Sequence, residues 1–293
     1  MRIGFFPNMG KPNIIEILNT AYRICKDNDI EVYIPDDIEE YDLVNLLSIP
    51  TSHVLRKPDI FKQLDMAFSF GGDGTIIHLA RQIYPYNVPV CGINLGELGF
   101  LNQIELEQMT SHIKRIANGE YVIENRGHLH AKIQGPTGTQ ELVPIINELV
   151  VTRSEPAKMA RINLAINGGH TQMYPADGLI VASATGSTGY NLSAGGPIMA
   201  PDNRSIIVTP IAPHLLQSVS MVLKESAQID ITMPSREKQL HICIDGTFEY
   251  NFSREEILHI ESNPVYCRFV RFEDQKFFST LFKKLSARRD ELL

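Results

Sequence analysis

Through the first 120 residues, short and nearly continuous apolar runs alternate with longer segments whose apolar positions recur every three to four residues. Arg2–Pro7, Glu31–Ile34, Met66–Phe70 and Val88–Asn94 are the short runs. Near-continuous apolar character fits strands covered on both faces, as in a parallel sheet. Between them, Ile14, Ile17, Leu18, Ala21 and Ile24 mark one face of a helix over Ile14–Lys26, with Asn13 placed to cap it. Further helices are predicted near Asp42–Leu47, from Thr75 to about Gln82, and over residues 105–117, where Leu106, Met109, Ile113 and Ile116 share a face. From about Tyr121 the pattern shortens to a period of two. Strands are predicted at His128–Ile133, Glu141–Pro144, Glu148–Thr152, Arg161–Ile166, Leu179–Ala182, Ser205–Thr209, Ala227–Thr232 and Leu240–Ile244. Turn-rich pieces separate them, and Asn167-Gly168 is a hairpin signal. A helical pattern returns from about Gln275 to Arg289, with Lys and Arg in its later turns.

The pattern is therefore an α/β half followed by a β-rich half. A length of 293 residues fits about two domains, and 43% hydrophobic residues suffice for two cores. The 27 basic and 34 acidic residues leave a formal charge of −7, with no basic block or stripe, which argues against a nucleic-acid face. An acidic chain can still hold polyphosphates through backbone N–H groups, a few Lys or Arg, and Mg²⁺. Cys25, Cys91, Cys243 and Cys267 are scattered, which reads as free thiols in a reducing compartment. The first apolar run is too short for a signal peptide, and none reaches membrane-spanning length. A soluble, cytoplasmic protein with no membrane partner is expected.

Candidate chemistry gathers first at Phe70-Gly71-Gly72-Asp73-Gly74-Thr75, a glycine turn between an apolar strand and a helical segment. Glycines let a backbone approach a bulky ligand, and the free N–H groups of a helix start suit phosphate. A loop built only to grip phosphate favours Lys, so Asp73 points to chemistry or a metal. No GxxxxGK[ST] or G-x-G-x-x-G occurs in the nucleotide-binding positions. Leu95–Leu101 is a second glycine-bearing loop at a strand's carboxyl end, where ligands of open α/β sheets sit. Three more stretches stand out: Asn147-Glu148, the long run Ala176–Pro197 with Thr185-Gly186-Ser187-Thr188 inside it, and Cys243–Thr247. Each alone can be ordinary structure, namely a strand-edge turn, a capped helix after a loop, and a hairpin turn.

Together these stretches resemble the NAD kinase family. Its motifs run in the order GGDGT, NE, a D-G block leading to S-T-P-T-G-S-T-A-Y and S-A-G-G-P, T-P-x-x-P-H, and a late D-G. Here they are matched by Gly71–Thr75, Asn147-Glu148, Asp177-Gly178 with Thr185–Thr188 and Ser193–Pro197, Thr209–His214, and Asp245-Gly246. Pro7-Asn8-x-x-Lys11 and Leu98-Gly99-Phe100-Leu101 are also similar, so the resemblance spans nearly the whole chain. GGDGT by itself also fits lipid kinases of the diacylglycerol type and phosphofructokinases. The ordered set is what separates them. A lipid kinase would need an apolar or basic membrane-facing surface, and a non-catalytic NAD-sensing module would have little use for Asp73.

The resemblance implies a Rossmann-like, three-layer α/β domain over residues 1–121 and a β-sandwich domain over 122–262. Residues 263–293 would pack back on the first domain through the tail helix. It implies phosphoryl transfer from ATP, or polyphosphate in some members, to the 2′-hydroxyl of NAD's adenosine ribose. Asp73 would be the catalytic base, and Gly71, Gly72, Gly74 and Thr75 would hold the phosphates, with Asp73 and Gly74 also meeting NAD. Asn147 and Glu148 would take the adenosine and riboses, and Asp177 the nicotinamide amide. Thr185, Thr188, Gly189 and Tyr190, with Phe100 and Ala212, would shape the adenine pockets, and Asp245 would lie near the phosphates. His214 reads as structural. Mg²⁺ or another divalent cation would be held mainly by substrate phosphates, and a homodimer or homotetramer is implied. The motifs are divided between the two halves, so neither half is expected to work alone. Three departures stand out: Ala182-Ser183-Ala184 replaces S-T-P, Gly189 replaces the usual Ala and removes one methyl against the ligand, and Pro175-Ala176 stands before Asp177 where relatives often have Arg.

Overall fold

The computed structural model describes residues 1–37, 46, 49–96, 99–155, 158–214, 218–234, 239–274 and 277–290, without the side chains of residues 284 and 287–290. The helix expected near Asp42–Leu47 lies outside the described residues, apart from residue 46, as does Leu98 of the second glycine-bearing loop. The chain forms two compact units, Met1–Asn125 with Cys267–Leu293, and Arg126–Tyr266.

The first unit is built on an eight-stranded sheet: β1 (Arg2–Pro7), β2 (Glu31–Pro35), β3 (Val54–Leu55), β4 (Met66–Gly71), β5 (Val90–Asn94), β6 (Ile104–Glu105), β7 (Val122–Arg126) and a strand returning at Cys267–Arg271. The order is β3-β2-β1-β4-β5, then the returning strand, then β7, with β6 paired off β5. β1, β2, β4 and β5 pair in parallel, with Phe5 opposite Phe68 and Phe68 opposite Cys91. Alternate residues face opposite layers. Phe5, Phe68, Phe70 and Ile93 pack with Leu18 and Ala21 of the helix Ile14–Lys26 and Ile113 and Ile116 of the helix Met109–Ala117. On the other face Phe6 meets Phe61 at 5.6 Å between ring centroids, and the helix Asp73–Ile83 packs Ile76 close over Gly92. This is the expected three-layer α/β arrangement. The chain order reverses between β1 and β4, so their carboxyl ends flank a switch point, where ligands of open α/β sheets bind.

The second unit packs two six-stranded antiparallel sheets face to face. Its strands are β8 (Leu129–Gly135), β9 (Gly138–Glu141), β10 (Glu148–Arg153), β11 (Ala160–Ile166), β12 (Gln172–Ala176), β13 (Gly178–Ala182), β14 (Ile206–Ile211), β15 (Met221–Leu223), β16 (Ile229–Thr232), β17 (Gln239–Ile244), β18 (Phe248–Ser253) and β19 (Ile257–Ser262). One sheet is β15-β14-β13-β10-β17-β18 and the other β12-β11-β16-β19-β8-β9. Leu149, Val151, Leu179, Val181 and Ile242 of the first meet Ile133, Ile162, Leu164, Ile231 and Leu258 of the second. The alternate residues, on the other face of the central strands, are buried too. Val150, Ile180, Ala182 and Ile207 pack under Ala184 and Met199 of the segment that follows β13. That second cover explains why β10 and β13 read as continuous rather than alternating apolar runs.

Several local expectations change. Asn13 does not cap through its side chain. It enters the helix in the left-handed region (φ 56°), which Asn tolerates, and gives its backbone carbonyl to the Ile17 N–H. The strand expected at Glu141–Pro144 lies earlier, at Gly138–Glu141, because it pairs with β8 across the Pro136-Thr137 turn. The helix expected over 105–117 starts at Met109, after a short strand and a 3₁₀ turn. Thr185–Thr188 is a 3₁₀ turn followed by a four-residue helix at Tyr190–Ser193, too short to carry an appreciable dipole. Asn167 and Gly168, both at positive φ, turn β11 into β12 as expected. No helix among the described residues is long and apolar enough to cross a membrane.

Candidate functional site

In the first unit the glycine turn leaves the end of β4 at the switch point. Gly72 is the N-terminal cap residue and Asp73 the first residue of the helix. Gly72 is in extended backbone and its carbonyl accepts from the N–H groups of Thr75 and Ile76. Neighbouring strands tie the turn down, since Asn8 N–H donates to Phe70 O at 2.9 Å and Leu95 N–H donates to Gly71 O at 3.0 Å. Gly74 is exposed, while Gly72, Asp73 and Thr75 are half-buried.

The Asp73 carboxylate is tied on both oxygens. It accepts from Phe100 N–H at 2.6 Å, Leu101 N–H at 3.2 Å and Asn102 Nδ2 at 3.0 Å. A methyl added at Gly99 would fall on that carboxylate, so the close approach requires glycine. Asp73 thus latches the loop after β5 to the start of its own helix. Phe100 enters the site through its backbone. Lys11, on the loop after β1, brings its Nζ to 3.2 Å from the position a Gly96 methyl would occupy. A cavity of about 620 Å³ opens along the same unit, lined in part by Glu16, Glu105 and Glu107, a charge that repels a triphosphate.

In the second unit, strand register decides what meets what. Glu148 pairs with Ala182 and Leu149 with Ile244. Asn147-Glu148, Ser183–Thr188 and Asp245 therefore share one end of one sheet. Asp245, in the left-handed region at φ 46°, accepts from the N–H groups of Ile146, Asn147 and Glu148 at 3.0, 2.8 and 2.9 Å. Its carboxylate holds the corner that presents Glu148. The hydroxyls of the serine-threonine run divide by role. Ser183 donates to Ile146 O at 2.6 Å, and Ser187 both donates to Met199 O and accepts from Met199 N–H. Asn191 and Thr209 join the same buried network at 2.7 Å.

Three acceptor atoms at this end are buried without a protein partner: Asn147 Oδ1, Glu148 Oε2 and Thr185 Oγ1. Such groups are rare in folded proteins and mark sites where a ligand or water completes the bonding. Glu148 is 7% exposed and Thr185 5%. Burial, then the negative charge of Asp245, pushes the Glu148 carboxyl up to about 8, against a smaller pull from the Tyr190 N–H. At neutral pH it is largely protonated and can donate as well as accept. Thr188 is half-buried and its hydroxyl donates to Thr185 O at 3.4 Å, while Tyr190 is 45% exposed.

Asp177 stands at the opposite end of β13, roughly 20 Å from Ser183 at the usual strand rise. Its N–H donates to Ile211 O, and its carboxylate pairs with Arg153 at 3.0 Å. Ala212, in the left-handed region at φ 44°, follows Ile211 and so belongs to the Asp177 end rather than with Thr185–Tyr190. His214 N–H donates to Pro175 O beside it. Sequence reading missed Asn102, Lys11 as a neighbour of Gly96, and Arg153. Asn102 directly follows a loop already singled out. Arg153 carried no local signal, yet from β10 it pairs with Asp177. Among the described residues no group of three or more His, Cys, Asp or Glu side chains converges to hold a metal.

Comparison with known proteins bears on the whole chain. The family described as ATP-NAD kinase N-terminal domain matches residues 3–121, and that described as ATP-NAD kinase C-terminal domain matches residues 146–272. The NAD kinase of Thermoanaerobacter sp. (strain X514) is 32% identical over 292 residues, covering 98% of this chain and 99% of the relative. That of Methanopyrus kandleri is 34% identical, covering 92% and 91%. Among solved structures, an NAD kinase from Archaeoglobus fulgidus in complex with ATP is 26% identical with a TM-score of 0.72, covering 98% of this chain and 99% of that one. Yeast NADH kinase complexed with NADH has a TM-score of 0.85 at 20% identity, covering 98% and 87%, and speaks for the fold.

Proposed function

The chain belongs to the NAD kinase family, an enzyme that phosphorylates NAD with ATP, and from that premise we propose how its residues divide the work. The acceptor is the 2′-hydroxyl of NAD's adenosine ribose and the product is NADP. The observation that carries the dinucleotide half is the trio of unpartnered buried acceptors, Asn147 Oδ1, Glu148 Oε2 and Thr185 Oγ1. Ribose hydroxyls supply the donors that these atoms lack. Asn147 and Glu148 take the adenosine and its ribose, and Thr185, Thr188, Gly189 and Tyr190 shape the adenine pocket. Asp177, steadied by Arg153, takes the nicotinamide amide, with Ala212 beside it. Asp245 orients the Asn147-Glu148 corner through its three N–H bonds instead of touching phosphate.

The phosphoryl half rests on the glycine turn at the switch point. Gly71, Gly72 and Gly74 hold phosphate oxygens through backbone N–H groups and Thr75 through its hydroxyl, its own N–H being taken by Gly72 O, and Lys11 adds a cation at the same edge. Phosphoryl transfer depends chiefly on position and charge neutralisation. A divalent cation would arrive with the nucleotide and be held by phosphate oxygens, because the described side chains form no cage for it. Asp73 accepts the proton of the 2′-hydroxyl as the new bond forms, worth about 10²–10⁴-fold. Its carboxylate is already aimed by three donors and retains lone-pair capacity for a fourth. The protein works as a homodimer or homotetramer in a reducing, cytoplasmic setting.

Purified protein with ATP, Mg²⁺ and NAD, coupled to a dehydrogenase that uses only NADP, tests the reading. NADP should accumulate. Parallel reactions with polyphosphate as donor and NADH as acceptor define the range of both substrates. No product in any arm would refute the assignment.

A further inference from the structure

Gly189 closes the turn beside Glu148, and the structure shows what lies in the space where a side-chain methyl would stand. It is not open ligand space. A Cβ built at Gly189 would stand 2.6 Å from Glu148 Oε2 and 3.3 Å from Gly186 O. A contact of 2.6 Å is well inside van der Waals separation, so one of the two groups would have to move. Gly189 ends the 3₁₀ turn Thr185–Thr188 and its N–H donates to Gly186 O at 2.9 Å, which anchors its backbone. The glutamate side chain is the softer partner.

We propose that Gly189 is a positioning residue for nucleotide binding: the volume it leaves empty seats the Glu148 carboxyl group against the turn Gly186–Tyr190, and so sets the direction from which Glu148 meets a ribose hydroxyl. The inference rests on the assignment of Glu148 to NAD. Three observations support it. Glu148 is the most hidden of the candidate ligand carboxylates, at 7% exposure. Its Oε2, the atom nearest the missing methyl, is the one without a partner. The charged and titratable groups that act on it or feel it are Asp245 and Cys243, with the Tyr190 N–H as the opposing influence. Burial of this kind keeps the group largely protonated at neutral pH, able to donate to one ribose oxygen while accepting from another hydroxyl. A methyl at position 189 would drive the carboxyl out of this seat toward solvent, where it ionises and meets the ribose as an acceptor only.

A double-mutant cycle of Gly189→Ala and Glu148→Ala tests the shared space. In the native background Gly189→Ala should raise the KM for NAD about tenfold, more than it lowers kcat, and should move the pH dependence of that KM downward. In the Glu148→Ala background, where the seat is empty, the same methyl should change KM less than twofold. Thermal melting of all four proteins gives a second readout that needs no substrate. Gly189→Ala should lower Tm only when Glu148 is present, and if that single variant fails to fold, the double variant should fold. Equal effects of the methyl in both backgrounds, on KM and on Tm, overturn the proposal. Glu148→Ala leaving the KM for NAD unchanged while the melting cycle still shows coupling would instead remove the NAD assignment of Glu148 and leave the packing intact.

Discussion

Two acidic corners of this protein look alike in sequence and behave oppositely. At the glycine turn, Asp73 is bonded by Phe100, Leu101 and Asn102 without any ligand present. At the Asn147-Glu148 corner, three buried acceptors have no protein partner, and Glu148 is driven toward its neutral form. At the first, protein donors aim the carboxylate before substrate arrives. The second is left incomplete, a cost that native structures tolerate where a ligand completes the bonding. Asp245 shows that the same unit can satisfy a carboxylate fully when holding geometry is its task. Asp245 therefore only aims other groups, the Asn147-Glu148 corner leaves its bonding to the ligand, and Asp73 is aimed by three protein donors while keeping lone-pair capacity for a fourth.

That comparison can be broken at its strongest point first. Asp73→Asn should keep NAD affinity within a few fold and lower turnover by about 10²–10⁴-fold. A fully active variant contradicts the base role. A loss of affinity and of Tm together with turnover would instead mark Asp73 as a latch alone, since the amide NH2 must face either the Phe100 N–H or the Leu101 and Asn102 donors. Next in size is Asp245→Ala. It strands three N–H groups, all of them on buried or half-buried residues, at about 1–3 kcal/mol for a group left unsatisfied. A fall in Tm of roughly 5–10 °C is expected, measured by calorimetry. An unchanged Tm would show that water replaces the clamp.

Glu148→Ala should raise the KM for NAD about ten- to a hundredfold with a smaller change in kcat, from the loss of hydrogen bonds to the substrate. Unchanged KM would end its assignment to NAD. The smallest effect has the opposite sign. The Glu148 carboxyl is raised from 4.5 to about 8 on folding, so the native state holds its proton more tightly than the unfolded chain. The resulting stability is fully present below pH 4.5 and is lost as pH rises toward 8. Glu148→Gln removes the titration. At pH 8–9 it should melt higher than the parent, by an amount on the order of 1–2 kcal/mol, and at pH 4 the two should coincide. A variant that is less stable at pH 9 than the parent would mean that Glu148 is not strained by its burial.

Much of the fold was legible because local chemistry carries it. The helix Ile14–Lys26 shows its 3.6-residue stripe, and β4 shows a continuous apolar run because both faces are covered. Shorter or more polar strands escaped. β12 contains Pro175, β18 alternates weakly as Phe-Glu-Tyr-Asn-Phe-Ser, and the returning strand Cys267–Arg271 joins a sheet whose other strands lie far back in the chain. The same limit governs the site. Motif order pointed to Asp73, Glu148, Asp177 and Asp245, but not to the clamp that Asp245 makes on the Asn147-Glu148 corner.

What the sequence alone determined is the set of groups: the glycine turn with its aspartate, the Asn-Glu pair, the hydroxyl run, the late Asp-Gly, and the alternation that builds one α/β and one β unit. Those properties are written in side-chain type and short-range spacing. Only the tertiary structure decided which groups are spent and which are left open. Asp73 finds its partners 27 to 29 residues away and Asp245 finds its own 97 to 99 residues away. Register places Glu148 beside Ala182 and its turn, and a missing methyl at Gly189 gives its carboxyl a seat. Hydrogen-bond saturation and shared volume are properties of pairs that meet in space, and no period along the chain encodes them.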